Sequence, residues 1–164
     1  MDVFEAIRQR KSVRRYADKP ISRSDLELMI DAGRRAPTAR NEQPWQFVVV
    51  TERETLQYIG NSTDYGRFIS DAAACVLVFC RDTKYYLEDG SAAVENILLA
   101  ATGLGIASCW VAGDKKAYAE DIKKRVNAPE SMKLIAMIPL GYPTKNHSEH
   151  PKRPLDEVLH WESF

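Results

Sequence analysis

The sequence lacks an excess of either charge, because 23 Lys and Arg residues balance 23 Asp and Glu residues among its 164. Domains that bind nucleic acid usually carry a basic excess, so this balance argues against nucleic acid as a partner. It also gives little protection from self-association, which favours an oligomer. No apolar run reaches the roughly 20 residues of a membrane span, and no basic segment followed by an apolar one marks a secretion signal. The expected location is the cytoplasm.

Cysteine is also scarce, and its three copies (Cys75, Cys80 and Cys109) include no Cys-x-x-Cys pair. We expect buried free thiols in a reducing compartment. Glycine-rich phosphate loops and the Gly-x-Ser-x-Gly nucleophile elbow are missing as well. His147 and His150 have the spacing of a metal seed, but no cysteine or carboxylate pattern completes a ligand set, so no metal site is predicted.

The length and the 45% apolar content fit one domain, 1–164. Helices and strands mix without a strict β-α-β alternation, so the expected class is α+β. Apolar spacing and capping residues predict helices at about 2–10, 22–35, 52–59, 91–104 and 114–129, the last capped by Asp114. Apolar β-branched runs predict strands at 45–51, 73–80, 106–113 and 133–142, the first of them buried on both faces.

A basic segment follows the first helix, with five cations among residues 8–15. Alternate side chains of an extended chain share one side, so Arg10, Ser12 and Arg14 are expected to point the same way. Two guanidinium groups and a hydroxyl on one side can hold a phosphate. The alternative is a solvated basic surface.

A loop with two prolines, Ala36–Phe47, joins the second helix to the first strand. Asn41 and Gln43 offer donors and acceptors that suit the edge of a planar heterocycle, and Thr38 adds a hydroxyl. The prolines reduce the backbone freedom that binding would remove. The alternative is that the amides satisfy backbone groups of the loop. Trp45 is expected to pack in the core.

Two further stretches are candidates for binding. In Ser108–Gly113, the small residues Ala112 and Gly113 would let a flat ligand approach the backbone, although an ordinary buried strand end has the same pattern. In the tail, Lys152 and Arg153 could meet the N-terminal cations on one phosphate, or could be solvated.

In this order the four stretches resemble the nitroreductase family. Its pattern Arg-[Arg/His/Lys]-Ser-x-[Arg/Lys]-x-[Phe/Tyr] is matched by Arg10–Tyr16. Its pattern [Ala/Ser]-Pro-[Ser/Thr]-x-x-Asn-x-Gln-Pro-Trp-x-Phe is matched without a break by Ala36–Phe47. Its block Leu-Gly-[Ile/Leu]-x-[Ser/Thr]-x-Trp-x-x-Gly is matched by Leu104–Gly113. A strand end at Leu140–Pro143 and a tail at Lys152–Val158 extend the resemblance over nearly the whole chain.

The resemblance implies a central, mostly antiparallel sheet flanked by helices, in an intertwined homodimer with flavin mononucleotide (FMN) at the subunit interface. It implies that the FMN phosphate and the nearby flavin edge contact Arg10, Lys11, Ser12 and Arg14, helped by Lys152 or Arg153. It implies that the partner subunit's flavin ring contacts Pro37, Thr38 and Ala39, with Asn41 and Gln43 nearby. The ring would also lie along the backbone of Trp110, Val111 and Ala112.

The implied activity is transfer of two electrons from NADH or NADPH to an electron-poor acceptor, such as a nitroaromatic or a quinone, by a ping-pong mechanism. No side chain is predicted to be catalytic, because the flavin carries the chemistry. Alternatives are a reductive dehalogenase, a flavin-destroying enzyme, or a flavin-binding module without turnover. Only Arg81–Gly90 separates the second strand from the central helix, so an open site without a long lid is expected.

Overall fold

The computed structural model describes residues 1–144 and 151–164. Its helices are α1 (Val3–Gln9), α2 (Arg23–Gly33), α3 (Arg53–Asn61), α4 (Tyr86–Gly103) and α5 (Ala119–Arg125). Its strands are β1 (Trp45–Val50), β2 (Ala74–Arg81), β3 (Ala107–Ser108), β4 (Val111–Ala112) and β5 (Met132–Gly141). They form one antiparallel sheet in the order β1-β2-β5-β3, with β4 also paired to β5. The predicted α+β class is confirmed.

The first two helices begin at the predicted capping side chains. The Asp2 carboxylate accepts a hydrogen bond from the Glu5 N–H at 2.8 Å, and the Ser22 hydroxyl accepts one from the Asp25 N–H at 3.0 Å. Each cap satisfies an N–H that the first helical turn leaves without a backbone partner. The first cap helps to fix α1, from whose end the basic segment continues.

The core lies on both faces of β2, whose side chains alternate between two apolar clusters. Val76 and Val78 pack with α2 and α4 on one face, while Leu77 and Phe79 pack with α3 and α5 on the other. Trp45 is 6% exposed and belongs to the cluster that contains α4, so its predicted core position is confirmed.

The prediction that β1 is buried on both faces is wrong. Gln46 is exposed and Val49 is 39% exposed. The reason is the position of β1 at the edge of the sheet, where, in the part of the chain that the structure describes, it pairs with β2 alone. A run of β-branched residues favours a strand, but it does not determine how many elements cover that strand.

The strand predicted at 106–113 is interrupted between β3 and β4. Ser108 lies opposite Leu140 and Val111 opposite Met137, and this common register places Cys109 opposite Pro139. Proline has no N–H, so the ladder loses a donor at this point. Two short strands therefore replace the single predicted one.

Two helix starts also differ from the prediction. The central helix α4 starts at Tyr86, so residues 82–85 alone separate it from β2, and the connection is shorter than expected. The last helix α5 starts at Ala119 because Lys115, with φ of 55°, leaves the right-handed helical region. Asp114 does not cap a helix; its carboxylate accepts a hydrogen bond from the Tyr86 hydroxyl at 3.1 Å.

Within the described ranges, the helices are too short or too polar to cross a membrane. Those ranges also hold no group of three His, Cys, Asp or Glu residues arranged for a metal ion. The spacing of His147 and His150 falls outside the described residues.

Candidate functional site

The basic segment runs as extended chain alongside β3. The Val13 N–H donates to the Ser108 carbonyl at 2.9 Å, and Ser12 forms a parallel bridge with the same residue. Val13 is buried whereas Ser12 and Arg14 are exposed, which is the alternation of an extended chain. The first predicted stretch therefore lies directly against the third.

Three of the side chains predicted to bind phosphate influence the ionisation of the Cys109 thiol. Burial raises the pKa of this thiol, while the Arg14 charge, a hydrogen bond with Ser12 and the Arg10 charge lower it by less. The exposed side chains of Ser12 and Arg14 lie on the side of the segment opposite the buried Val13, as the alternation predicts. The thiol stays neutral at this position and does not cancel the two cations.

The two arginines are oriented by different neighbours. Arg10 Nε lies 3.4 Å from the Glu95 carboxylate of α4. The Arg14 guanidinium lies over the Phe68 ring, 5.8 Å from its centroid, and approaches the Ser12 carbonyl at 3.5 Å. Contact with an aromatic face holds a guanidinium without using its N–H donors. Lys11, the remaining predicted phosphate contact, is half-buried in the same segment.

We expect the cysteines of the folded protein to resist thiol reagents. Cys75, Cys80 and Cys109 are all buried, and burial raises the pKa of Cys80 to about 12 and those of the other two above their usual range. Little thiolate therefore forms at mildly alkaline pH. Titration with Ellman's reagent should detect the three thiols after unfolding in guanidinium and none before. A thiol that reacts rapidly in the native protein would contradict this expectation.

The loop Ala36–Phe47 is held in an unusual conformation by its own side chains. Arg40, Asn41 and Gln43 have φ of 55°, 57° and 45°, which is the left-handed region. The Gln43 N–H donates to the Thr38 hydroxyl at 3.2 Å, and the Gln43 side-chain amide donates to the Asn41 side-chain oxygen at 3.0 Å. The two predicted amides therefore bond to each other and not to the loop backbone.

Hydrogen bonds with Asp89 and Arg81 attach this loop to α4 and to the end of β2. The Ala39 N–H donates to the Asp89 carboxylate of α4 at 3.1 Å. Arg81, at the end of β2, donates from its guanidinium to the Glu42 carbonyl and from its N–H to the Pro44 carbonyl, both at 2.9 Å. The loop lies over the first turn of α4, with Pro37 exposed at its start.

The third stretch presents a backbone donor at the open side of β4. Val111 pairs with β5, and the N–H groups of successive residues in a strand point to opposite sides. Because the Gly113 N–H donates to the Ile135 carbonyl of β5 at 3.0 Å, the N–H of Ala112, one residue earlier, points away from β5. Both residues are exposed, Trp110 to 37%, and the Ala112 carbonyl accepts a hydrogen bond from the Tyr118 hydroxyl.

Gly113 packs closely against the neighbouring strand, which agrees with the alternative of an ordinary buried strand end. It is buried, and a Cβ atom added there would lie 2.6 Å from the Leu134 side chain and 3.0 Å from the Leu134 carbonyl. The close approach that glycine permits is therefore between two strands of the sheet.

The single chain does not bring the tail cations to the basic segment. Lys152 and Arg153 are exposed, and within the described residues no hydrogen bond or ion pair joins them to Arg10, Ser12 or Arg14. A cavity of about 1050 Å³ lies elsewhere, between residues 17–21, α2 and β1, and none of the predicted cofactor residues lines it. Several residues of the candidate site, Ser12, Arg14, Pro37 and Ala112, are exposed in this chain.

Sequence reasoning missed the residues that support the site from behind. Glu95 orients Arg10, Asp89 holds Ala39, and Phe68 lies against Arg14. The sequence does contain one signal for such residues, which is a carboxylate within the most apolar helix of the chain. A charge in that position needs a partner. The identity of that partner depends on contacts between residues that are distant in sequence.

Two known protein families match this sequence, and the matched ranges contain all residues of the candidate site. The family described as "Nitroreductase family" matches residues 7–83, and the family described as "Putative TM nitroreductase" matches residues 59–163. The two ranges together include all four predicted stretches.

Individual proteins agree with the family matches. A protein of Methanothermobacter thermautotrophicus named "Putative NADH dehydrogenase/NAD(P)H nitroreductase" is 36% identical over 152 residues, covering 89% of this chain and 80% of that protein. A crystal structure of the same name from Parabacteroides distasonis superposes with a TM-score of 0.93 at 28% identity, covering 99% and 98% of the two chains. A structure from Desulfovibrio desulfuricans, described as "a putative nitroreductase in complex with fmn", is 32% identical with a TM-score of 0.87, covering 100% and 98%.

Proposed function

Since the chain belongs to the nitroreductase family, we propose that it is an FMN-dependent oxidoreductase that passes two electrons from NAD(P)H to an electron-poor acceptor such as a nitroaromatic or a quinone. The observation that carries the proposal is the basic segment with its exposed Ser12 and Arg14 side chains, which runs alongside β3, the strand that leads into β4 and its outward-facing Ala112 N–H. We further propose that the donor and the acceptor occupy the same place in turn, which is a ping-pong mechanism.

The donors of the site fit the two ends of FMN. A phosphate dianion needs several charge-assisted donors, and Arg10, Ser12 and Arg14 supply them. Arg10 is paired with the Glu95 carboxylate at 3.4 Å, whereas the Arg14 guanidinium lies over the uncharged Phe68 ring, which does not offset its charge. A flavin ring needs donors and acceptors along its edge, which the backbone of Trp110 and Ala112 can provide. When bound, FMN supplies the two-electron chemistry, and the protein binds and orients it.

The proposed set of phosphate contacts also includes Lys11, Lys152 and Arg153. The proposed strand beneath the ring includes Val111. The proposed ring contacts from a second subunit are Pro37, Thr38 and Ala39, with Asn41 and Gln43 beside them. We propose that all of these residues belong to a single domain, 1–164, and the two apolar clusters on one sheet support this.

A homodimer with FMN at its interface is supported by the apolar surface of α1. Val3, Phe4 and Ile7 are 60%, 68% and 52% exposed, although their spacing makes one apolar row along the helix. Trp161 and Phe164 in the tail are also exposed, at 79% and 107%. Contiguous exposed apolar side chains mark surfaces that another chain covers.

The spectrum of the purified protein tests the proposal directly. We expect the visible absorption bands of oxidised flavin, or their appearance on reconstitution with FMN. Stopped-flow mixing with NADH and with NADPH should bleach these bands, and added quinone or nitroarene should restore them. A colourless protein that ignores added FMN would contradict the assignment. A flavin that stays oxidised would identify a binding module, and turnover restricted to haloaromatics or to flavin destruction would identify one of the alternative enzymes.

A further inference from the structure

We infer that Asp89 is a positioning residue, which sets the place of the Thr38–Ala39 backbone in the cofactor site. This inference rests on the proposed function. In this inference Asp89 does not contact FMN itself. It accepts a hydrogen bond from a segment that we propose contacts the flavin ring.

The surroundings of Asp89 are unusual for a carboxylate. The residue lies in the first turn of α4 and is 5% exposed. Its Oδ1 atom accepts the hydrogen bond from the Ala39 N–H at 3.1 Å, while its Oδ2 atom is buried without a hydrogen-bond partner in the described structure. A buried polar atom without a partner is unfavourable, so core packing does not explain a carboxylate at this position.

The loop that Asp89 holds needs an anchor because of its backbone conformation. Arg40 and Asn41, which directly follow Ala39, both have left-handed φ values. Side chains rarely adopt this conformation unless the surroundings enforce it. Arg81 anchors the far side of the loop at Glu42, and Asp89 anchors the near side, next to the proposed flavin contacts.

The same helix also supports the other part of the site. Glu95 of α4 orients Arg10 of the phosphate-binding segment. Asp89 and Glu95 are separated by about 9 Å along the axis, at about 1.5 Å of rise per residue. In the proposed dimer, α4 therefore holds the phosphate segment of one FMN site and the ring-contacting loop of the other at a fixed separation.

Three variants and the wild-type protein separate positioning from general stability. Asp89→Ala removes the acceptor, Asp89→Asn keeps an acceptor oxygen, and Glu88→Ala removes an exposed carboxylate from the same helical turn. Apoproteins are titrated with FMN, and the spectrum and the reduction potential of the bound flavin are recorded. We expect Asp89→Ala to weaken FMN binding about tenfold and to shift the flavin bands, whereas Asp89→Asn and Glu88→Ala stay within about twofold of wild type.

Removal of the donor tests the same hydrogen bond from the loop. Ala39→Pro lacks the N–H, and proline is favoured at the first position of a helical turn, which Ala39 occupies. The double variant with Asp89→Ala should bind FMN no more weakly than Ala39→Pro alone, because both changes remove one interaction. If circular dichroism shows that Asp89→Ala is unfolded, the inference is tested instead by comparing the FMN binding of Ala39→Pro with that of Glu88→Ala.

Four results would overturn the inference. They are wild-type binding and spectrum in Asp89→Ala, equal losses in the alanine and asparagine variants, additive losses in the double variant, and unchanged binding in Ala39→Pro. These results leave the proposed function intact if the wild-type protein binds FMN. A wild-type protein that does not bind FMN overturns the proposed function, and the inference with it.

Discussion

Replacement of Arg14 by alanine should strip FMN from the purified protein and leave the fold intact. A hydrogen bond to a charged group contributes about 1.5–3 kcal/mol, so loss of the guanidinium should weaken FMN binding about 10- to 150-fold. The side chain is exposed, and among residues 1–144 and 151–164 its contacts are the Phe68 ring and a long approach to the Ser12 carbonyl. Neither contact is large enough for the fold to depend on it.

The adjacent residue provides a matched control. Arg15 is also exposed, but neighbouring side chains of an extended segment point to opposite sides. Arg15→Ala therefore removes the same charge without removing a proposed phosphate contact. The measurements are the ratio of flavin to protein after gel filtration, the FMN affinity of the apoprotein, and its circular dichroism. Full flavin content in Arg14→Ala, or an equal loss in Arg15→Ala, would count against the phosphate site.

Short sequence signals were sufficient to predict much of the fold. Asp2 and Ser22 predicted the starts of two helices because a capping side chain acts within its own turn. The broken strand was not predictable in this way. The strand is broken at Cys109 because the residue opposite it, Pro139, has no N–H to donate. Pro139 lies on β5, and the register that pairs the two positions is set by the whole sheet.

The candidate site also has a part that local sequence signals predict and a part that depends on distant residues. Alternation along an extended segment placed Ser12 and Arg14 on the exposed side, opposite the buried Val13, since that periodicity is a property of the backbone. The carboxylates that support the site, Asp89 and Glu95, contact residues that are 50 and 85 positions earlier in the chain. Pairings of this kind depend on how α4 packs, which no short motif contains.

The flavin should also be lost when the dimer is opened. In the proposed dimer, the ring of each FMN is contacted by Pro37–Ala39 of the other subunit, so a monomer offers an incomplete site. Phe4→Glu places a charge in the exposed apolar row of α1. A charge that a dimer buries without a partner costs about 3 kcal/mol or more, and a two-fold interface contains it twice, so dissociation should increase by a factor of about 10⁴. The monomer should fold normally, because a glutamate suits the first turn of a helix.

Leu28→Glu is the control, since this leucine of α2 is 56% exposed and lies outside α1 and the tail. Sedimentation velocity gives the oligomeric state of each variant, and absorbance gives its flavin content. We expect Phe4→Glu to be monomeric and nearly free of FMN, Leu28→Glu to be dimeric and yellow, and extreme dilution of the wild-type protein to release FMN as its subunits separate. A monomeric Phe4→Glu protein with full flavin content would show that one chain is sufficient to hold the cofactor. A dimeric Phe4→Glu protein would show that α1 lies outside the interface, because an unpaired glutamate is not tolerated at the centre of an apolar contact.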